Sequence, residues 1–121
     1  MTPTEALRGV CDAWERGDPD AAAALFAPDG VYEDPLYPAP LHGRDEIRAG
    51  LAAGMAAITD CRVTLDPVLE RGDQVLAIGH FGSRLREGGE RFDFPFAILV
   101  ELSGAGISRL AEYFDTKPLP A

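Results

Sequence analysis

Apolar residues in the first half of the chain recur at helical spacing, and from Cys61 onward they alternate with polar ones. That change of period predicts helices first and strands after. Thr2-Pro3-Thr4-Glu5 has the form of a capping box with proline at the first helical position. Leu7, Val10, Cys11 and Trp14 then make one buried stripe, which Gly17 ends. Asp18-Pro19 opens a short alanine-rich helix running to Phe26, and Pro28-Asp29-Gly30 reads as a turn. Val31–Glu33 is a short extended piece stopped by Asp34-Pro35, and the proline-rich stretch to Pro40 is a loop. Ile47, Leu51 and Met55 place a third helix over Gly43–Ala57, with Asp45 and Glu46 favoured by the dipole at its start.

The strands follow in order. Cys61, Val63 and Leu65 alternate with polar residues, and Pro67 marks an edge or a bulge. Turns at Arg71-Gly72-Asp73, Glu87-Gly88-Gly89 and Ser103–Gly106 separate further strands at 74–86, 90–102 and 107–116. The order implies an α+β fold: three N-terminal helices packed in a curved antiparallel sheet that encloses a pocket, one domain over residues 1–121. Phe92, Phe94, Phe96 and Ile98 share one parity of the third long strand, while Pro95, Ala97 and Leu99 make the other parity apolar too. A strand apolar on both faces needs cover on both. One face meets the helices, and a homodimer through the sheet is expected to cover the other.

Composition adds exclusions. A formal net charge of −9, with basic residues scattered singly, argues against nucleic acid or an anionic membrane as partner. No apolar run reaches the ~20 residues of a membrane span. The first residues do not read as a secretory signal, so a cytoplasmic location is expected. Cys11 and Cys61 fall on apolar periodic positions and read as small buried hydrophobes. With two histidines, two cysteines and no phosphate-binding glycine loop, neither a metal nor a cofactor is expected.

What is left is a set of carboxylates and one histidine. The stretch Phe26–Pro35, ending Tyr32-Glu33-Asp34-Pro35, is followed after the proline-rich loop by Leu41-His42-Gly43-Arg44-Asp45-Glu46-Ile47. Together with Gly17-Asp18 and the run from Gly106-Ile107 to Tyr113-Phe114, it resembles the bacterial ketosteroid isomerases. It is also similar to the wider nuclear-transport-factor-2-like superfamily, which includes polyketide cyclases and limonene epoxide hydrolases. The resemblance implies Asp34 as a general base that moves a proton between carbons of a small hydrophobic carbonyl compound.

The isomerase's oxyanion donors do not carry over, because their places fall on Val10 and Ala97. In the register that the resemblance implies, His80 becomes the substitute acid. Val10, Trp14, Tyr32, Met55, Ile78, Ala97, Leu99 and Phe114 are then expected around the ligand. The same register turns Asp93 and Glu112 inward, whereas the alternation of Phe92, Phe94 and Phe96 favours an outward reading, and a shift of one residue decides between the two. Asp115 matches the catalytic aspartate of the epoxide hydrolases, but the Arg-x-Asp of that family is replaced by Gly79-His80-Phe81. A proton-shuttling isomerase or cyclase is therefore the leading expectation. A non-catalytic ligand-binding or dimerisation module and an epoxide hydrolase are the alternatives.

Overall fold

In the computed structural model, which describes residues 1–120, the chain begins with helix α1 (Pro3–Arg16). Its capping box forms as expected. The Thr2 hydroxyl accepts from the Glu5 N–H, the Glu5 carboxylate accepts from the Thr2 N–H, and Gly17 closes the helix in the left-handed conformation. Helix α2 (Pro19–Ala24) is capped by Asp18 and ends with the alanine run, two residues before the expected Phe26. Strand β1 (Phe26–Glu33) takes up the Pro28-Asp29-Gly30 segment, where a turn was expected, as an irregularity in its register. Strand β2 (Leu41–His42) has two residues, too few for an alternation to be read, and leads into α3 (Gly43–Ala56). Then come β3 (Ile58–Arg71), β4 (Gln74–Leu85), β5 (Arg91–Ser103) and β6 (Gly106–Tyr113).

The six strands form one sheet in the order β2-β1-β6-β5-β4-β3. Strands β3 to β6 make the expected antiparallel meander, and β1 joins β6 in parallel, a pairing that no local pattern announces. β3 is one of the two edge strands, and its register slips between Leu65 and Val68, across Pro67. The helices pack on one face of the sheet, and the core lies between them: Leu7, Val10, Phe26, Tyr32, Ile47, Leu51, Val75, Val100 and Leu110 are all essentially inaccessible.

Strand parity settles which side chains can meet a ligand. On β5, Phe94, Phe96, Ile98 and Val100 are buried toward the helices, and Asp93, Pro95, Ala97 and Leu99 take the opposite face. On β4, Val75, Ala77 and Ser83 are buried and Phe81 shares their parity, so Leu76, Ile78 and His80 point outward. The sheet pairing agrees with this, since Ile78 lies opposite Ala97 and His80 opposite Pro95. The register implied by the resemblance was one residue out on these two strands. His80, Ile78, Ala97 and Leu99, expected in the pocket, are on the outer face of the sheet.

Gly79 lies where β3 crosses close to β4. A Cβ there would stand 2.2 Å from the Thr64 carbonyl oxygen and 3.1 Å from the Phe96 ring, and neither the strand backbone nor a packed ring can yield cheaply. Gly79→Ala is expected to cost about 1–3 kcal/mol, the usual range for an overpacked core. Urea denaturation checks this, and an unchanged midpoint would mean that the two strands can part at no cost.

Candidate active site: a carboxylate pair in an aromatic cavity

Between the helices and the inner face of the sheet is a cavity of about 280 Å³. Its wall is mostly aromatic. Trp14 meets Phe81 edge-on at 5.5 Å between ring centres, Phe81 stacks on Phe94 at 5.3 Å, and Phe94 lies 4.6 Å from Phe114. Phe92 continues the row beyond Phe94. Leu36 and Leu119 also contribute to the lining, from the loop after β1 and the segment after β6. Gly54 makes room for this wall, since a Cβ there would come within 3.3 Å of the Trp14 ring.

Two carboxyl groups enter the apolar lining, Asp34 just beyond β1 and Glu112 from β6. Glu112 faces inward because it shares the parity of Leu110 and Phe114, and it pairs across the sheet with buried Ile98. The sequence left its orientation open; the structure turns it to the cavity and turns Asp93 outward. The signal that could have found it was the spacing of Leu110, Glu112 and Phe114 by twos.

Tyr32, fully buried, joins the two acids. Its hydroxyl donates to Glu112 Oε1 at 2.7 Å and lies 3.4 Å from Asp34 Oδ2. A phenol has one proton to give, so the short bond to Glu112 is the strong one. The other Asp34 oxygen accepts the Leu36 N–H at 2.8 Å, which fixes the carboxyl at the start of the loop. Tyr37 packs edge-on to Tyr32 and donates to the Gly50 carbonyl, tying that loop to α3.

Burial raises the pKa of both acids. For Glu112, burial and then the charge of Asp34 push it from 4.5 up to about 8. For Asp34, burial pushes upward while the Leu36 N–H, Tyr32 and Glu112 pull back. The pair titrates as a unit. Of the two, Glu112 is the one whose neutral form is favoured more, because Asp34 has the donors and Glu112 the deeper burial. Burial also raises the Tyr32 phenol and pushes the Cys11 thiol, at the cavity wall, up to about 12, so neither ionises near neutrality.

Of the residues expected around a ligand, Asp34, Val10, Trp14 and Phe114 line the cavity. Tyr32 stands behind the two acids, and Met55 lines a separate polar groove of about 350 Å³ on the other side of Trp14. That groove holds no comparable pair, since Asp60 at its edge is shared among Arg62, Arg84 and Arg91. Asp115 is exposed beyond the end of β6, where its carboxylate accepts the Lys117 N–H in a turn. It does not line the cavity, and the acid supplied by the last strand is Glu112. The sequence reading passed over Phe81 because it lies one residue from His80, on the other parity. Among the described residues no cluster of metal-binding side chains occurs, and no helix is long and apolar enough to cross a membrane.

A curved sheet closed over three helices, with an acid-bearing apolar cavity between them, is the architecture of the nuclear-transport-factor-2-like superfamily. Within it the chain belongs to the SnoaL-like domain family, whose sequence profile matches residues 7–110. No curated protein matches the chain significantly. Among solved structures, a protein of ketosteroid isomerase-like fold from Catenulispora acidiphila, in complex with trimethylamine, is 28% identical with a TM-score of 0.86, over 98% of this chain and 91% of that one. An epoxide hydrolase from M. tuberculosis resembling the limonene enzymes is 20% identical (TM-score 0.79; 95% and 84% covered). A proposed polyketide cyclase from Xanthomonas campestris is also 20% identical (TM-score 0.76; 95% of this chain and 91% of that one covered).

The Glu112 shift sets a pH dependence of stability. Between 4.5 and about 8 the folded chain holds a proton on Glu112 that the unfolded chain has lost. Stability therefore falls as pH rises through that interval, and this contribution is fully favourable only below the lower value. Glu112→Gln, which keeps the shape and cannot ionise, should raise the melting temperature near the upper value and change it little at the lower. Thermal melts of both proteins across this range check it, and parallel curves would place Glu112 in water.

Proposed function

We propose that the protein is a small-molecule enzyme of the isomerase or cyclase type, transferring a proton on a small hydrophobic carbonyl compound held in the aromatic cavity. The observation that carries this reading is the hydrogen-bonded set Asp34–Tyr32–Glu112 at the apolar wall. It supplies a charged carboxylate and a neutral carboxylic acid side by side, the two forms that enolisation requires.

In this reading Asp34 removes the proton on the carbon next to the carbonyl, and Glu112 gives its proton to the carbonyl oxygen as the enol forms. Returning the proton from Asp34 to a second carbon, with Glu112 recovering its own, completes an isomerisation. Tyr32 positions Glu112. A neutral acid aimed at the oxygen takes over the task that was assigned to His80, which lies outside. A size of about 280 Å³ suits a ligand of one or two rings. The Catenulispora relative was solved in complex with a small molecule, trimethylamine, which supports a small occupant. Epoxide opening is less well supported, because Asp115 lies outside the cavity and, among the described residues, no arginine lines it.

Exchange of the α-protons of cyclohexanone for deuterium in D2O, followed by NMR, tests the reading without knowledge of the natural substrate. The native protein should accelerate exchange, and Asp34→Asn should lose about 10²–10⁴-fold of that acceleration. Glu112→Gln should lower it too. Equal exchange by native protein and Asp34→Asn would remove Asp34 as the base.

We also propose that the outer face of the sheet pairs two copies of the chain. Leu69, Leu76, Ile78 and Tyr113 lie on it 62%, 45%, 46% and 57% exposed, next to Ala97 and Leu99. An apolar surface of that kind commonly marks an interface. Ile78→Arg should turn a dimer into a monomer in sedimentation, and native protein sedimenting near 13.0 kDa at micromolar concentration would refute the pairing.

A further inference from the structure

The cavity has a one-sided electrostatic character that proton transfer alone does not require. Among the described residues, none that lines it is Lys, Arg or His. Its polar end consists of Asp34 and Glu112, held together by one phenol, and the rest of the wall is Trp14 and a row of phenylalanines. Aromatic faces are negative and carboxylates more so, and no fixed cation offsets either. The whole chain adds to this bias with a formal net charge of −9.

We infer that the cavity selects ligands by charge and binds small hydrophobic ammonium ions, with the cationic head against Asp34 and Glu112 and the alkyl groups on the aromatic wall. Attraction between a positive head and ring faces is strongest where water is excluded, as it is in an apolar cavity. Carboxylate-bearing molecules of the same shape are rejected, because nothing in the lining can pair with them and two acids oppose them. The pair also adapts to its ligand. A bound cation favours ionised Glu112, so uptake of an ammonium ion near neutral pH releases a proton into solution. The groups facing Glu112 agree with that sign: Asp34 and Tyr32 from the β1 side, Tyr37 from the loop and Cys11 from α1 are acidic or neutral, and none is a cation.

This inference concerns binding and stands whether or not a proton is transferred to carbon. Its test uses three probes of one shape: choline, its neutral carbon analogue 3,3-dimethylbutan-1-ol, and the anion 3,3-dimethylbutanoate. Titration calorimetry on the full chain should find choline bound about tenfold more tightly than the alcohol, the size expected for a desolvated cation against aromatic rings. The butanoate should be the weakest of the three. In the double variant Asp34→Asn/Glu112→Gln the preference for choline should shrink, while the alcohol binds as before and so reports an intact cavity. Choline titrated in two buffers of different ionisation enthalpy should give heats that reveal proton release.

Alcohol binding as tight as choline overturns the inference, as does a preference that survives in the double variant or an absence of binding by all three probes. If the double variant also loses the alcohol, the comparison within the native protein decides. Loss of ketone exchange in Asp34→Asn without any preference for choline would leave the proposed reaction standing and remove only the charge selection.

Discussion

The buried hydroxyl of Tyr32 holds the site together. It is the group at which β1, the loop after it and β6 meet, and it places two carboxyl groups within reach of one proton in surroundings that water does not screen. Two ionised carboxylates at such a point would repel strongly, and one neutral and one charged partner is the arrangement that avoids this. Removing the phenol would leave Glu112 without its short hydrogen bond and Asp34 facing it directly. The parallel pairing of β1 with β6 matters for the same reason, because it sets Tyr32 beside Leu110 and brings Glu112 into range.

A second constraint acts through the pleat of the sheet. Each strand gives alternate residues to the cavity and to the outer face, so one register assigns both surfaces at once. The parity that lines the cavity with Phe81, Phe94 and Phe114 also puts Ile78, Ala97 and Tyr113 outside. On the outer face Arg109 bridges Glu33 and Glu101, joining β1, β6 and β5 with ion pairs that are partly exposed and add little stability. The cavity and the exposed apolar surface are thus divided between the two sides of a single sheet.

Local chemistry made much of the fold legible. The capping box at Thr2, the glycine stop at Gly17, the i, i+4, i+8 stripe of α3 and the glycine turns between strands all carry their cause within a few residues. The pairing of β1 with β6 could not be read, since its partners lie some eighty positions apart and neither strand's alternation names the other. For the site, Asp34 and Phe114 stood out through the family resemblance, and Trp14 through its place in the helical stripe. His80 drew attention as a chemically capable residue, but a histidine is only as useful as its parity, and Val75, Ala77 and Phe81 already claimed the inner face of that strand. Glu112 was the reverse case: an ordinary acid by composition, made unusual only by the tyrosine that a distant strand delivers to it.

The absence of the isomerase's usual oxyanion donors has a physical resolution in this pair. An enolate held by donors develops a full negative charge that the cavity must stabilise, and preorganised hydrogen bonds are the common means. If Asp34 takes a proton from carbon while Glu112 gives one to oxygen, one carboxylate becomes neutral as the other becomes charged. The substrate passes to an enol, and the total charge of the cavity stays constant throughout. In a region of low effective dielectric, shifting a charge between two adjacent groups costs far less than creating a new one. A reaction of that kind needs no positive group, and among the described residues none lines the cavity.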